Sequence, residues 1–146
     1  MRRSVCLTVV AVVLASACGG GDQKAADESS ATPASTAPAS FDAATITPQM
    51  LALGDSLYHG LIGATSCQAC HGPDGKGGVV APDLTDTTWL HSDGSFESIY
   101  KQVETGVTAP KQYTSVMPPF GGAPLTPEKH LAVSAYVYSL GHKIGQ

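Results

Sequence analysis

The sequence predicts an all-α domain. Three segments repeat apolar residues at helical spacing behind a capping residue, no segment alternates apolar and polar residues as a strand would, and the stretches between are dense in glycine and proline. At 146 residues, 42% hydrophobic and 14% charged, the chain has room for one such domain plus appendages.

Met1 to Ala17 carries Arg2 and Arg3 and then an apolar run from Val5 to Ala17, the pattern of a secretory signal peptide (1–17). That run is shorter than the roughly 20 apolar residues that span a bilayer. Where it ends, Leu14-Ala15-Ser16-Ala17-Cys18 resembles the lipobox of bacterial lipoproteins, with Ala15 where that family prefers leucine. The resemblance implies a lipid on Cys18, whose several acyl chains anchor stably where one does not. The alternative is ordinary cleavage near Ala17, with Cys18 incidental. Residues 18–46 are rich in Ala, Ser, Thr, Pro and Gly, and Phe41 and Ile46 are their only large apolar residues. They are expected to be a disordered linker with a span on the order of 30 Å.

The folded domain is expected over 47–146. Thr47-Pro48 is a cap followed by proline at the first helical position, and Met50, Leu53 and Leu57 form the stripe of a first helix, with Leu51, Gly54, Tyr58 and Leu61 beside it. Residues 72–88 hold too many breakers for regular structure. A second helix runs from Ser95, its cap, to Thr105, with Phe96, Ile99, Tyr100 and Val103 on one face and Gly106 as its stop. A proline-rich loop over 107–125 leads to the last helix, capped by Thr126, opened by Pro127 and reaching Leu140.

The formal charge is −4, and −6 once Arg2 and Arg3 leave with the leader. No basic patch suggests nucleic acid. An acidic surface suits basic partner patches, or simply solubility. Of the four cysteines, Cys6 and Cys18 belong to the leader and its end, so only Cys67 and Cys70 lie in the folded part and no disulfide framework is implied.

Cys67-Gln68-Ala69-Cys70-His71 is the c-type haem attachment pattern. On a helical turn the two sulfurs share a face and can reach the two vinyl groups of one haem edge, while His71, four after Cys67, aims at the iron. Two other readings compete. Zinc normally takes four ligands, and the folded part has no further cysteine. A thioredoxin-like redox pair belongs in a βαβ context, which this chain lacks. For the second axial ligand the candidates are Met1, Met50 and Met117. Met1 leaves with the leader and Met50 lies on an apolar stripe, whereas Met117 opens Met-Pro-Pro-Phe-Gly-Gly, where prolines stiffen the loop that presents the thioether. The other reading of Met117 is a gap-filling core side chain.

CQACHG, APDLTDTTWL, VMPPFGG and LTPEKHLAVSAYVYSLG, in that order between about Thr47 and Gly141, resemble a class I c-type cytochrome, most nearly the haem domains of cytochrome oxidase subunits and small soluble relatives. The resemblance implies three main helices and long loops wrapped around one covalent haem c. First and last helices would cross at Gly54 and Tyr136, with Tyr58 nearby. Pro82 would accept the proton of His71 Nδ1 on its carbonyl, raising the basicity of the imidazole; loop stiffening is its alternative role. Trp89 would stand near a haem propionate and donate its indole N–H, or serve as a plain core tryptophan. The 107–115 loop, with Lys111 and Tyr113, is longer than in the shortest members. His59, His91, His130 and His142 are assigned to the surface or to helix ends, and His142 with Lys143 suits the negative end of a helix dipole.

Filling both axial positions with His71 and Met117 leaves no open site for substrate. The expectation is therefore an electron carrier and not an enzyme, passing single electrons between respiratory complexes or a dehydrogenase and a terminal oxidase or reductase. It would dock transiently on redox proteins from the periplasmic face of a membrane, held by its lipid. Two further readings are a subunit that receives electrons for one particular enzyme complex, and a haem-based redox or gas sensor in which Met117 dissociates.

Overall fold

The structure, a computed structural model, describes residues 40–142 and 144. The leader, Cys18, residues 19–39 of the linker and Lys143 lie outside the described residues.

Three capped helices and one helical turn carry the fold: α1 (Pro48–Tyr58), α2 (Gln68–His71), α3 (Phe96–Thr105) and α4 (Pro127–Gly141). Each long helix begins as its sequence dictates. Thr47 Oγ1 accepts from Met50 N, Ser95 Oγ from Ser98 N and Thr126 Oγ1 from Lys129 N; such caps contribute about 1 kcal/mol each. Ser95 is itself fixed by Asp93, whose carboxylate accepts from the Ser95 amide at 2.9 Å and hydroxyl at 2.7 Å. Gly106, at φ 69°, ends α3. The first helix is shorter than its apolar stripe suggests. It stops at Tyr58, Gly60 turns the chain at φ 67°, and Leu61 is left 73% exposed.

The core gathers Leu57 and Tyr58 from α1, Ile99 and Val103 from α3, Ala132, Val133 and Val137 from α4, and Leu84 from the long loop. Burying a leucine such as Leu57 contributes about 2 kcal/mol. The α1–α4 crossing needs a glycine: a Cβ on Gly54 would overlap the carbonyl of Ala132 and lie 2.6 Å from Tyr136 Cβ. Gly54 and Tyr136 therefore meet where expected, and the Tyr58 and Tyr136 rings pack 5.3 Å apart.

Because α4 packs against both α1 and α3, it is buried on more than one stripe. That overturns the surface assignment of His130. The side chain is 3% exposed, its Nε2 donates to the Tyr100 carbonyl at 2.9 Å, and its ring stacks on Tyr100. His142 does sit at a helix end, with Nδ1 2.8 Å from the Tyr138 carbonyl. Structure also begins ahead of Thr47. Residues 43–45 form a 3₁₀ turn capped by Asp42, and Phe41 meets Phe96 edge-on and leans on Tyr100. The last residues assigned to the linker thus pack on α3, because one large aromatic there finds two aromatic partners.

Candidate haem site

The attachment turn is shaped by its own backbone. The amides of Cys70 and His71 both bond the Cys67 carbonyl, which closes the single turn α2 and sets His71 one helical step past Cys67. Gly72, at φ 76°, turns the chain out, and the Tyr58 hydroxyl donates to its carbonyl at 2.7 Å. The loop then folds back. Gly77 N donates to the His71 carbonyl at 2.8 Å, and a Cβ on Gly77 would lie 2.6 Å from Ala81 O and Asp83 N. This close return brings the Pro82 carbonyl to His71 Nδ1, 3.0 Å away. With Nδ1 donating there, Nε2 is the ring nitrogen left with a lone pair. Burial pushes the His71 pKa down, so the imidazole stays neutral, the form that can ligate a metal.

Met117 arrives from the other loop. Its amide and carbonyl exchange hydrogen bonds with Val107 at 3.0 and 2.8 Å, an isolated antiparallel bridge just past α3. Gly106 makes this possible, since a Cβ there would overlap the Met117 carbonyl. Beyond Met117 the two prolines lead to Phe120, the one described non-glycine residue with positive φ (54°), and to Gly121 at φ 70°.

Cys67, Cys70, His71, Pro82, Trp89 and Met117 all line one cavity whose exposed wall is overwhelmingly apolar. Val133 and Val137 of α4 and Ile99 and Val103 of α3 form its floor. Met50 is not part of this wall. At one end Trp89 lies against Gly94, and the long 107–115 loop is drawn in by Lys111, whose Nζ donates to the Leu90 carbonyl and whose amide donates to His91 Nε2 at 3.3 Å. Tyr113 thereby joins the wall. Sequence reasoning missed this pinning, and missed Thr65 and Phe120 on the wall as well. The Gly-Gly pair after Phe120 was the available sign of an unusual backbone there.

The cavity fits a haem by the chemistry of its donors: two thiols one turn apart, a neutral imidazole with one free nitrogen, a thioether, and apolar walls. Cys70 is exposed and Cys67 half-buried, so the thiol edge lies at the surface. Burial pushes the Cys67 thiol up to about 11, the reverse of the depressed thiol that a redox-active pair needs. Among the described residues no three His, Cys, Asp or Glu side chains converge as a metal site, so the four ligands that zinc prefers are not assembled.

Helices, attachment turn and cleft define a monohaem c-type cytochrome domain, which binds haem c covalently through Cys67 and Cys70. Residues 51–137 match the family described as cytochrome c oxidase, cbb3-type, subunit III, and the chain belongs to that family. It is 37% identical over 93 residues to the cbb3-type cytochrome c oxidase subunit CcoP of Rubrivivax gelatinosus, covering 64% of this chain and 27% of that one. With subunit FixP of Bradyrhizobium sp. (strain ORS 278) it shares 42% identity over 80 residues, 53% of this chain and 25% of the relative. The chain thus spans about a quarter of the length of these relatives. Among solved structures, cytochrome cL of Methylophaga aminisulfidivorans aligns with a TM-score of 0.47 at 20% identity, over 62% of this chain and 52% of that one. Cytochrome cL of Hyphomicrobium denitrificans aligns at 0.46 and 24%, over 60% and 45%. No described helix is long and apolar enough to cross a membrane.

Proposed function

We propose that this electron-transfer domain is a one-electron carrier with both axial iron positions filled by the chain, working on the extracytoplasmic side of a membrane to which lipid on Cys18 holds it. The observation that carries the reading is that Met117 lines the same cavity as His71, in a loop fixed to Val107 by two backbone bonds. Bound haem supplies reversible one-electron exchange at its iron, and methionine as axial ligand raises the potential. The residues do the rest. Cys67 and Cys70 would hold the group by one edge, His71 would give Nε2 from a ring that the Pro82 carbonyl orients, Met117 would give its thioether, and the apolar floor would exclude water. Trp89 is proposed to stand near a propionate. Electrons would pass through the exposed cysteine edge during transient docking on a dehydrogenase, oxidase or reductase, since small interfaces suit a carrier that must release its partner.

Met117→His tests this assignment. A redox titration of the full haem-bearing chain should show a potential lower by on the order of 100 mV, and an unchanged potential would place the sixth ligand elsewhere. Cys18→Ser should move the protein from membrane to soluble fraction; equal membrane fractions for both forms would reject the lipid anchor.

A second reading is supported by the oxidase-subunit names of the relatives: this chain receives electrons as part of one enzyme complex. Stable copurification with a catalytic subunit would favour it over a free shuttle.

A further inference from the structure

We propose that Thr65 is a positioning residue for the sixth ligand, its hydroxyl clipping the methionine loop to the haem-attachment turn. The inference rests on the reading of Met117 as axial ligand. Thr65 stands two residues before Cys67, is 1% exposed, and donates from Oγ1 to the Phe120 carbonyl at 3.3 Å across 55 positions of sequence. Phe120 lies three residues past Met117 in a left-handed conformation (φ 54°, ψ 21°). A non-glycine residue holds such a backbone only where its surroundings over-determine it. Gly121 follows at φ 70°, and a Cβ there would lie 3.0 Å from Thr65 Cγ2 and 3.8 Å from Cys67 Sγ. The two loops therefore pack closely beside the cysteine edge, where a Cβ on Gly121 would press on the Thr65 methyl.

The methionine loop has two other holds, and both tie it to α3 and α4. Val107 pairs with Met117, and the Phe120 ring meets His130 edge-on at 5.1 Å. Among the described hydrogen bonds, the one from Thr65 alone joins this loop to the cysteine side. A thioether is a weak ligand, so its time on the metal depends on how firmly its loop is held. An external ligand binds only when the thioether is off, and its apparent affinity scales with that off fraction. Losing one buried hydrogen bond should change that fraction about fivefold.

The test titrates the ferric, haem-bearing full chain with imidazole and reads the loss of the methionine-to-iron charge-transfer band. Thr65→Val should bind imidazole about fivefold more tightly than wild type, and Thr65→Ser, which keeps the hydroxyl, should stay within about twofold. Wild-type affinity in Thr65→Val overturns the proposal, and so does an equal shift in both variants, because keeping the hydroxyl in Thr65→Ser would then have preserved nothing. Packing alone would move denaturation midpoints without splitting the two variants in this way. If Thr65→Val yields no haem-bearing protein, Gly121→Ala carries the test: it wedges the two loops apart and should raise imidazole affinity, and unchanged affinity overturns the clip. A wild type that lacks the methionine band and binds imidazole as well as Met117→Ala overturns the Met117 assignment and the clip with it. A wild type that shows the band, with Thr65→Val unaltered, overturns the clip alone.

Discussion

On the cysteine side of the cleft, the bonds that place Gly72, Pro73 and Pro82 come from residues 11 to 14 positions away. On the methionine side, Phe120 leans on Thr65, 55 positions away, and on a His130 ring bonded to Tyr100, 30 positions away. The first wall can form once α1 and the attachment turn exist. The second waits for α3 and α4 to dock, because closing longer loops costs more chain entropy before contacts repay it. One side is thus held by bonds of short range, while the other adds long-range holds at Phe120 to the short Val107–Met117 bridge. Local opening should begin on the methionine side.

The largest effect comes from breaking the local wall outright. Cys67→Ala/Cys70→Ala should abolish covalent haem, seen as loss of haem stain on a denaturing gel; haem that leaves the intact chain on denaturation would defeat the attachment assignment. Next come two glycines, one per wall, each with positive φ and no room for a Cβ. Gly77→Ala and Gly106→Ala should each cost about 1–3 kcal/mol in chemical denaturation. Their spectra should differ. Gly106→Ala should lose the methionine-to-iron band while keeping haem attached, whereas Gly77→Ala should keep that band and shift the potential by displacing the Pro82 carbonyl from His71.

The smallest effect separates the walls by pH. His59, on the cysteine side, faces the Asp55 carbonyl at 2.9 Å and the Pro73 carbonyl at 3.0 Å, and both nitrogens can donate only when the ring is protonated. The hydrogen bond to the Asp55 carbonyl raises its pKa. Its stabilisation is present below the unfolded value of about 6.5 and is lost as pH rises through the higher folded value. His130 does the opposite. Burial lowers its pKa, against the raising effects of the Tyr100 carbonyl and the Glu104 carboxylate. Its stabilisation is present above about pH 6.5 and is lost as pH falls toward the lower folded value. Denaturation midpoints against pH should lose part of the acid limb in His130→Gln and part of the limb above pH 6.5 in His59→Gln; identical profiles would show that neither ring titrates with folding.

Most of the local wall was legible in the sequence because its signals are local. Cap residues, prolines at first helical positions and the Cys-x-x-Cys-His spacing each act within a few residues, and all three long helices begin where those residues place them. The resemblance supplied the longer-range Pro82–His71 bond and the Gly54–Tyr136 crossing. What it did not supply was the environment of His130, since burial on two sides follows from which helices flank α4. Nor did it supply the packing of Phe41, whose partners lie about 55 residues further on.

By itself, then, the sequence determined the helices, the attachment turn, the covalent cofactor and the candidate ligands, because each depends on spacing within one element or on a motif of fixed order. The tertiary structure decided what surrounds them: the bonding of Met117 to Val107, the pinning of the long loop at Leu90 and His91, and the contact of Thr65 with Phe120. The Met117–Val107 bridge is set by the close approach that Gly106 permits, and the other two join segments 20 to 55 positions apart, set by which elements pack together. No short-range pattern encodes them.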